Sequence, residues 1–121
     1  MSENDYGDYS VKNTKSFEGT DGYGFNADLH RSGKKVARVI DSGCGGEAMF
    51  YWEDQESDKV DIHTTDYKGK PHTYRGTPEE KLLDEQVEKQ PLQDHEYSPE
   101  GLKMDMSWFV SNLVFLKEVI F

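Results

Sequence analysis

Residues 23–52, YGFNADLHRSGKKVARVIDSGCGGEAMFYW, decide how this chain folds. Phe25, Ala27 and Leu29 alternate with Asn26, Asp28 and His30, the period-2 pattern of a strand with one dry and one wet face. Arg31-Ser32-Gly33-Lys34 follows, polar residues around a single glycine, which marks a turn. Beyond it, residues 35–41 carry Val36, Ala37, Val39 and Ile40, and the two segments read as a β-hairpin. A type I turn with Gly33 as a left-handed bulge sets Phe25 opposite Val39 and Ala27 opposite Ala37; it is preferred because one face stays apolar. A tighter turn at Ser32-Gly33 sets Phe25 opposite Ile40 and Leu29 opposite Val36, leaving Arg38 on that face beside Ala27. Because 35–41 is apolar on both faces for part of its length, its second side should be covered.

Next come Ser42-Gly43-Cys44-Gly45-Gly46, three glycines in four residues after the serine. Such a run permits positive φ and close approach of another backbone or a ligand. One reading is a β-bulge or wide connection at the strand's end. The other is a nest of backbone amides for an anion, with Gly43, Gly45, Gly46 and Arg38 as candidate ligand-binding residues and Arg31, Lys34 and Lys35 nearby in sequence. The run lacks the Lys-Ser/Thr of a phosphate loop and the spacing of a dinucleotide fingerprint.

The run Gly24-Phe25-x-Ala27-x-Leu29-x-x-x-Gly33-Lys34-Lys35-Val36-Ala37-x-Val39, then Gly43-x-Gly45-Gly46, resembles the N-terminal half of a family of small bacteriophage proteins. In that family an FxAxLxxxGK hairpin precedes a GxGG loop, and the chain closes on a helix of the form MDxxWxVxxLV. Residues 104–114, MDMSWFVSNLV, are similar to that close. The two blocks cover roughly a third of the chain and carry over no activity or site residues. Cys44 stands where the family pattern leads one to expect histidine or another polar residue, a departure that argues against a role for it as a required reagent.

At 121 residues the chain is long enough for one domain with a modest core. Hydrophobic residues make up 34% and charged residues 31%, a polar globular composition whose core must lean on its 12% aromatics. Lys plus Arg is 14 against 24 Asp plus Glu, a formal net charge of −10. Direct nucleic-acid binding, which depends on cations replacing counterions, is not expected; a partner with a basic surface is. The single cysteine, Cys44, excludes an internal disulfide and a cysteine-based zinc site. The acidic N-terminus has no basic region before an apolar run, so no signal peptide is expected, and no run is long enough to span a bilayer. A cytoplasmic protein, within an infected bacterial host on the family resemblance, is the expectation.

Along the chain, residues 1–9 read as a loose acidic arm and 10–121 as one α+β domain. A first strand over 11–18 and a turn at Gly19-Thr20-Asp21-Gly22 give the simplest meander with the hairpin. Residues 48–52, AMFYW, read as an extended edge segment over the sheet, and 60–64 as a short strand. Thr77-Pro78-Glu79-Glu80 is a capping box with proline at the first helical position, so a thin surface helix with an acidic exterior should run over 78–88 and end before Pro91. Residues 91–101 read as a linker. From about Met104 a last helix repeats Met106, Phe109, Val110, Leu113 and Val114 at helical spacing. The fold class is therefore α+β: a small antiparallel β-meander of three or four strands packed on a C-terminal helix, with a second short surface helix.

No nucleophile, acid and base share a motif, so no catalytic residue is assigned. His63 and His72 occur without a carboxylate-histidine metal motif, and no metal or cofactor is expected. What the sequence offers is charge. Residues 53–58 hold four acids and no base, residues 41–66 hold eight acids against Lys59 alone, and residues 79–105 hold nine acids against three bases. Glu53, Asp54, Glu56, Asp58, Glu80 and Asp84 are the candidate partner-binding residues of an acidic face. They point to an interaction protein that binds and modulates a basic host or defence protein, in one form as a nucleic-acid mimic. The alternative is a binder of a small, nucleotide-like anion at the glycine loop. Self-association through the apolar C-terminal helix is a further expectation.

Overall fold

The computed structural model describes residues 4–20, 22–44, 47–66, 69–95 and 98–119. A four-stranded antiparallel meander, β1 (Tyr9–Gly19), β2 (Gly22–Arg31), β3 (Lys34–Asp41) and β4 (Met49–Trp52), runs in sequence order across one sheet. A separate hairpin follows, β5 (Val60–Thr65) with β6 (Pro71–Gly76), then helix α1 (Pro78–Glu88), a small hairpin β7 (Gln93–His95) with β8 (Ser98–Leu102), and helix α2 (Met106–Val119). This is an α+β fold built on a β-meander. Among the described residues no helix is long and apolar enough to cross a membrane.

The central hairpin turns at Ser32 and Gly33 with φ of 54° and 82°, both left-handed, as a two-residue turn matched to strand twist requires. The preferred register does not occur. Next to the turn, His30 pairs with Lys35 and Arg31 with Lys34; a bulge then shifts the ladder, so Leu29 faces Ala37, Ala27 faces Val39 and Phe25 faces Asp41. The tight-turn register thus holds only for the pairs beside the turn. The observed and preferred registers differ by two residues, so the same side chains, Phe25, Ala27, Leu29, Ala37 and Val39, still share one face. The bulge also answers the doubly apolar strand: Val36 and Ala37, consecutive residues, are both buried in one core instead of needing a cover on each side. The outer face stays open, with Met49 and Tyr51 more than half exposed.

Helix α2 lies on the inner face. Phe109, Val110 and Val114 join Val11, Phe25, Ala27, Leu29, Ala37 and Val39 in the core, and Leu83 and Val87 bring in one side of α1. Burying a large apolar side chain is worth about 1.5–3 kcal/mol, so this face is where the sheet and helix stabilise one another. Asp105 caps α2, its carboxylate accepting from the Trp108 amide at 2.8 Å; the helix begins at Met106, and Met104, buried, precedes it.

The segment expected to be a loose arm is tied down from Asn4 onward. Tyr6 packs its ring on Phe109 at 5.0 Å, the Asp5 carbonyl accepts from Gln86 and Gln90 of α1, and Tyr9 is buried in β1. Two aromatic rings on a fully buried Phe109 outweigh the acidic composition that suggested looseness. The expected linker at 91–101 instead contains β7 and most of β8, and β6 lies in a stretch, 71–76, for which no strand was read. In both places pairing with a neighbouring strand, rather than apolar periodicity, makes the strand.

Candidate functional site

The acidic segment leaves the sheet at the end of β4. Glu53 is exposed and its carboxylate pairs with Lys35 at 3.2 Å. Asp54 folds back to accept from the amides of Glu56 and Ser57, both at 3.1 Å; the Ser57 side chain and these amides hold its carboxyl below the ordinary range. The loop is therefore shaped by its own aspartate, and it presents Glu56 and Asp58 outward, both exposed and without an ion pair among the described residues.

Helix α1 starts as its sequence dictates. The Thr77 hydroxyl accepts from the Glu80 amide at 3.0 Å, which makes the threonine half of the capping box. Glu80 is half-buried. Burial pushes its carboxyl above the usual range, with the Asp84 charge adding to it and the Lys59 charge opposing. One turn on, Asp84 is not part of an acidic face. It is 5% exposed, turned under β5, and its Oδ2 has no hydrogen-bond partner among the described residues. Burial pushes this carboxyl up too, with Glu88 and Glu85 adding to it and Thr64 and Lys103 opposing. The cause is the helix period: Glu80, Asp84 and Glu88 recur every four residues and so line one side of α1, facing the β5–β6 hairpin. Glu88 at the far end is satisfied by Thr64, Thr65 and Lys103, the last at 2.9 Å. The Tyr74 phenol lies close enough to Glu80 to feel its charge but outside hydrogen-bond geometry, and burial raises it.

The glycine-loop residues are not gathered into an anion nest by the described geometry. Gly43 has φ +75° and is buried against the β1–β2 turn, where a Cβ would stand 2.9 Å from Gly19 Cα and 3.0 Å from Gly24 N. Its own amide is taken by Asp41 Oδ1 at 2.9 Å. Its close approach is to its own chain. Arg38 lies in mid-strand on the outer face, 3.3 Å from Asp28. There Asp28, although nearly buried, is held below the usual carboxylate range by the Asn13 amide first and then by Lys35 and Arg38. Asn13 reaches it from a bulge in β1 with φ of 51°, a conformation asparagine tolerates. Gly45 and Gly46 lie outside the described residues. His63 meets the Thr73 hydroxyl at 3.0 Å and His72 stacks on Tyr74; among the described residues no group of metal-ligating side chains converges.

A groove of about 430 Å³ opens beside β4, and the sequence did not single it out. Phe50 and Trp52, whose rings stack at 5.7 Å, form one wall with Ala48; Met106 and Ser107 at the start of α2 form the other. Three carboxylates, Glu47, Glu80 and Asp105, line it, and among the described residues no lysine or arginine does. The signals for these residues are each ordinary in the chain: a cap, a capping box and an apolar tetrapeptide. Only the tertiary packing of α2 beside β4 collects them. No family model matches this chain, and neither a curated protein nor a solved structure is significantly similar to it.

Proposed function

We propose that this chain is a bacteriophage accessory protein that binds and modulates a host or defence protein through an acidic surface. The observation that carries the reading is the 53–58 segment, which stands out between β4 and β5 with Glu56 and Asp58 exposed and free of ion pairs among the described residues. Together with a formal net charge of −10, it favours a partner with a basic surface, such as one that otherwise receives nucleic acid. The phage setting rests on the resemblance of the hairpin, glycine-loop and C-terminal helix motifs, and the cytoplasm of an infected bacterium is where such a protein would act. Phe115 and Leu116, exposed on α2, leave room for self-association.

The test is capture from bacterial lysate with the tagged protein and its Glu56→Lys/Asp58→Lys variant, at about 0.1 M and about 0.5 M salt. A specific protein held by the parent at low salt, lost at high salt and lost by the variant is the expected result. If no captured protein shows both dependences, the acidic segment is a solubility device and the reading fails.

A further inference from the structure

The groove beside β4 lies against an open sheet edge, and its chemistry specifies an occupant. Among the described residues strand β4 pairs on one side only, with β3. The Glu53 amide bonds the Val36 carbonyl at 3.0 Å, so the hydrogen-bonded positions of this ladder are 53, 51 and 49, while Ala48, Phe50 and Trp52 turn their backbone groups outward. Two of those outward groups are already used: the Ala48 amide donates to Ser107 Oγ at 3.0 Å, and the Trp52 carbonyl accepts from Gln55 at 2.6 Å. Between them the Phe50 amide and carbonyl and the Trp52 amide have no partner among the described residues. Natural edge strands are blunted with lysine, proline or bulges. β1, at the other edge, carries Lys12, Lys15 and a bulge, whereas β4, MFYW, has none of these and is blunted only by its four-residue length.

The geometry points to β-strand addition: an extended segment of a partner protein pairs with the β4 edge and inserts an arginine side chain into the groove. An added strand alternates its side chains between the two sheet faces. On the outer face it meets Met49 and Tyr51, both exposed, which suits an apolar residue. On the groove face it meets the stacked Phe50 and Trp52 rings and the three carboxylates. A guanidinium fits that combination, because its planar cation stacks on aromatic faces while its donors reach carboxylates. Asp105 already answers the partial positive charge of the α2 N-terminus, which leaves Glu47 and Glu80 to set the sign of the groove. The inference deepens the proposed function and rests on it for the basic character of the partner.

The test uses the whole protein and a blocked, fluorescein-labelled hexapeptide of alternating valine and arginine, with binding read by anisotropy at low salt. Two further peptides isolate the two contacts: one with citrulline, the neutral isostere, for arginine, and one N-methylated at alternate amides so that it cannot pair with an edge. Saturable binding by the arginine peptide is expected, about tenfold weaker for citrulline, lost on N-methylation, and weakened by Glu47→Gln/Glu80→Gln, in which glutamine suits the third position of the helix as glutamate does. Equal binding of the arginine and citrulline peptides, or binding indifferent to N-methylation, overturns the proposal. So does a concentration-dependent dimer in light scattering that the arginine peptide fails to dissociate, because the occupant is then a second copy. Glu56→Lys/Asp58→Lys should capture no partner from lysate yet bind the peptide, so loss of the acidic-segment reading and loss of the groove are told apart.

Discussion

Asp84→Asn should make this protein more stable at neutral pH, although it alters a buried, charged residue of a helix. Asp84 is 5% exposed, its Oδ2 is without a partner among the described residues, and Glu88 and Glu80 lie on the same side of α1. A buried polar atom left unpaired costs about 1–3 kcal/mol. Asparagine keeps the shape, removes the ionised state and offers an N–H₂ donor beside two carboxylates, which should recover about 1 kcal/mol, or about 4 °C in Tm for a domain of this size. The pH dependence follows from the direction of the shift. Burial raises the folded-state carboxyl above its unfolded value, so between the two the folded protein holds a proton that the unfolded chain has released. The stability this group contributes is fully present below the unfolded value and is lost as pH rises through the raised folded one. Thermal melts of parent and variant at about pH 7.5 and about pH 4 isolate Asp84 and the carboxylates coupled to it, because groups remote from it cancel in the difference. The variant should melt higher at the upper pH, with the gap closing at the lower. Glu56→Gln, on the exposed 53–58 segment, is the control and should change neither. A variant less stable than the parent at the upper pH, or a gap equal at both, refutes the account of Asp84 as a buried carboxylate under strain of charge.

Four other substitutions test the fold. Phe109→Ala removes the fully buried ring on which Tyr6 and Tyr9 pack and should cost about 3–5 kcal/mol in denaturant unfolding. Gly43→Ala meets both a positive φ and the Gly19 backbone, and should lose more than about 2 kcal/mol, whereas Gly33→Ala, at φ +82° but in open space, should lose about 1 kcal/mol; equal losses would remove the close approach as the reason for Gly43. Arg31→Ala breaks the two-pronged contact with Glu79, at 2.9 and 2.6 Å, that ties the central hairpin to the start of α1, and urea melts should register about 1 kcal/mol.

The same residues bear on how the protein tolerates its own charge. Asp28 and Glu88, which are paired or hydrogen-bonded, have lowered carboxyl values and stabilise the fold above the acid range. Asp84 and Glu80 do the opposite. Carboxylates of both kinds sit on α1, so the helix that carries much of the acidic composition is also where neutral pH costs the fold most.

What the sequence determined alone is what local interactions determine. Helix α1 spans Pro78–Glu88 as read, because its signals, the Thr77 cap, proline at the first position and Pro91 beyond the end, act within a few residues of chain. The meander and its dry face followed from period-2 alternation, and the exposure of Glu53, Glu56 and Asp58 followed from a run with nothing apolar to bury. Tertiary structure decided what depends on residues far apart. The β2–β3 register was set by a bulge that admits both Val36 and Ala37 to the core, a gain available only once α2 covers the inner face. Asp84 was indistinguishable from Glu85 in composition; one residue of helical rotation, about 100°, put it under β5 instead of in water. The groove beside β4 draws on residues 47–52, 80 and 105–107, brought together only because two helices pack at one end of a sheet. Local chemistry fixes elements and caps within a turn or a pleat, but the faces of those elements acquire neighbours only when the core closes.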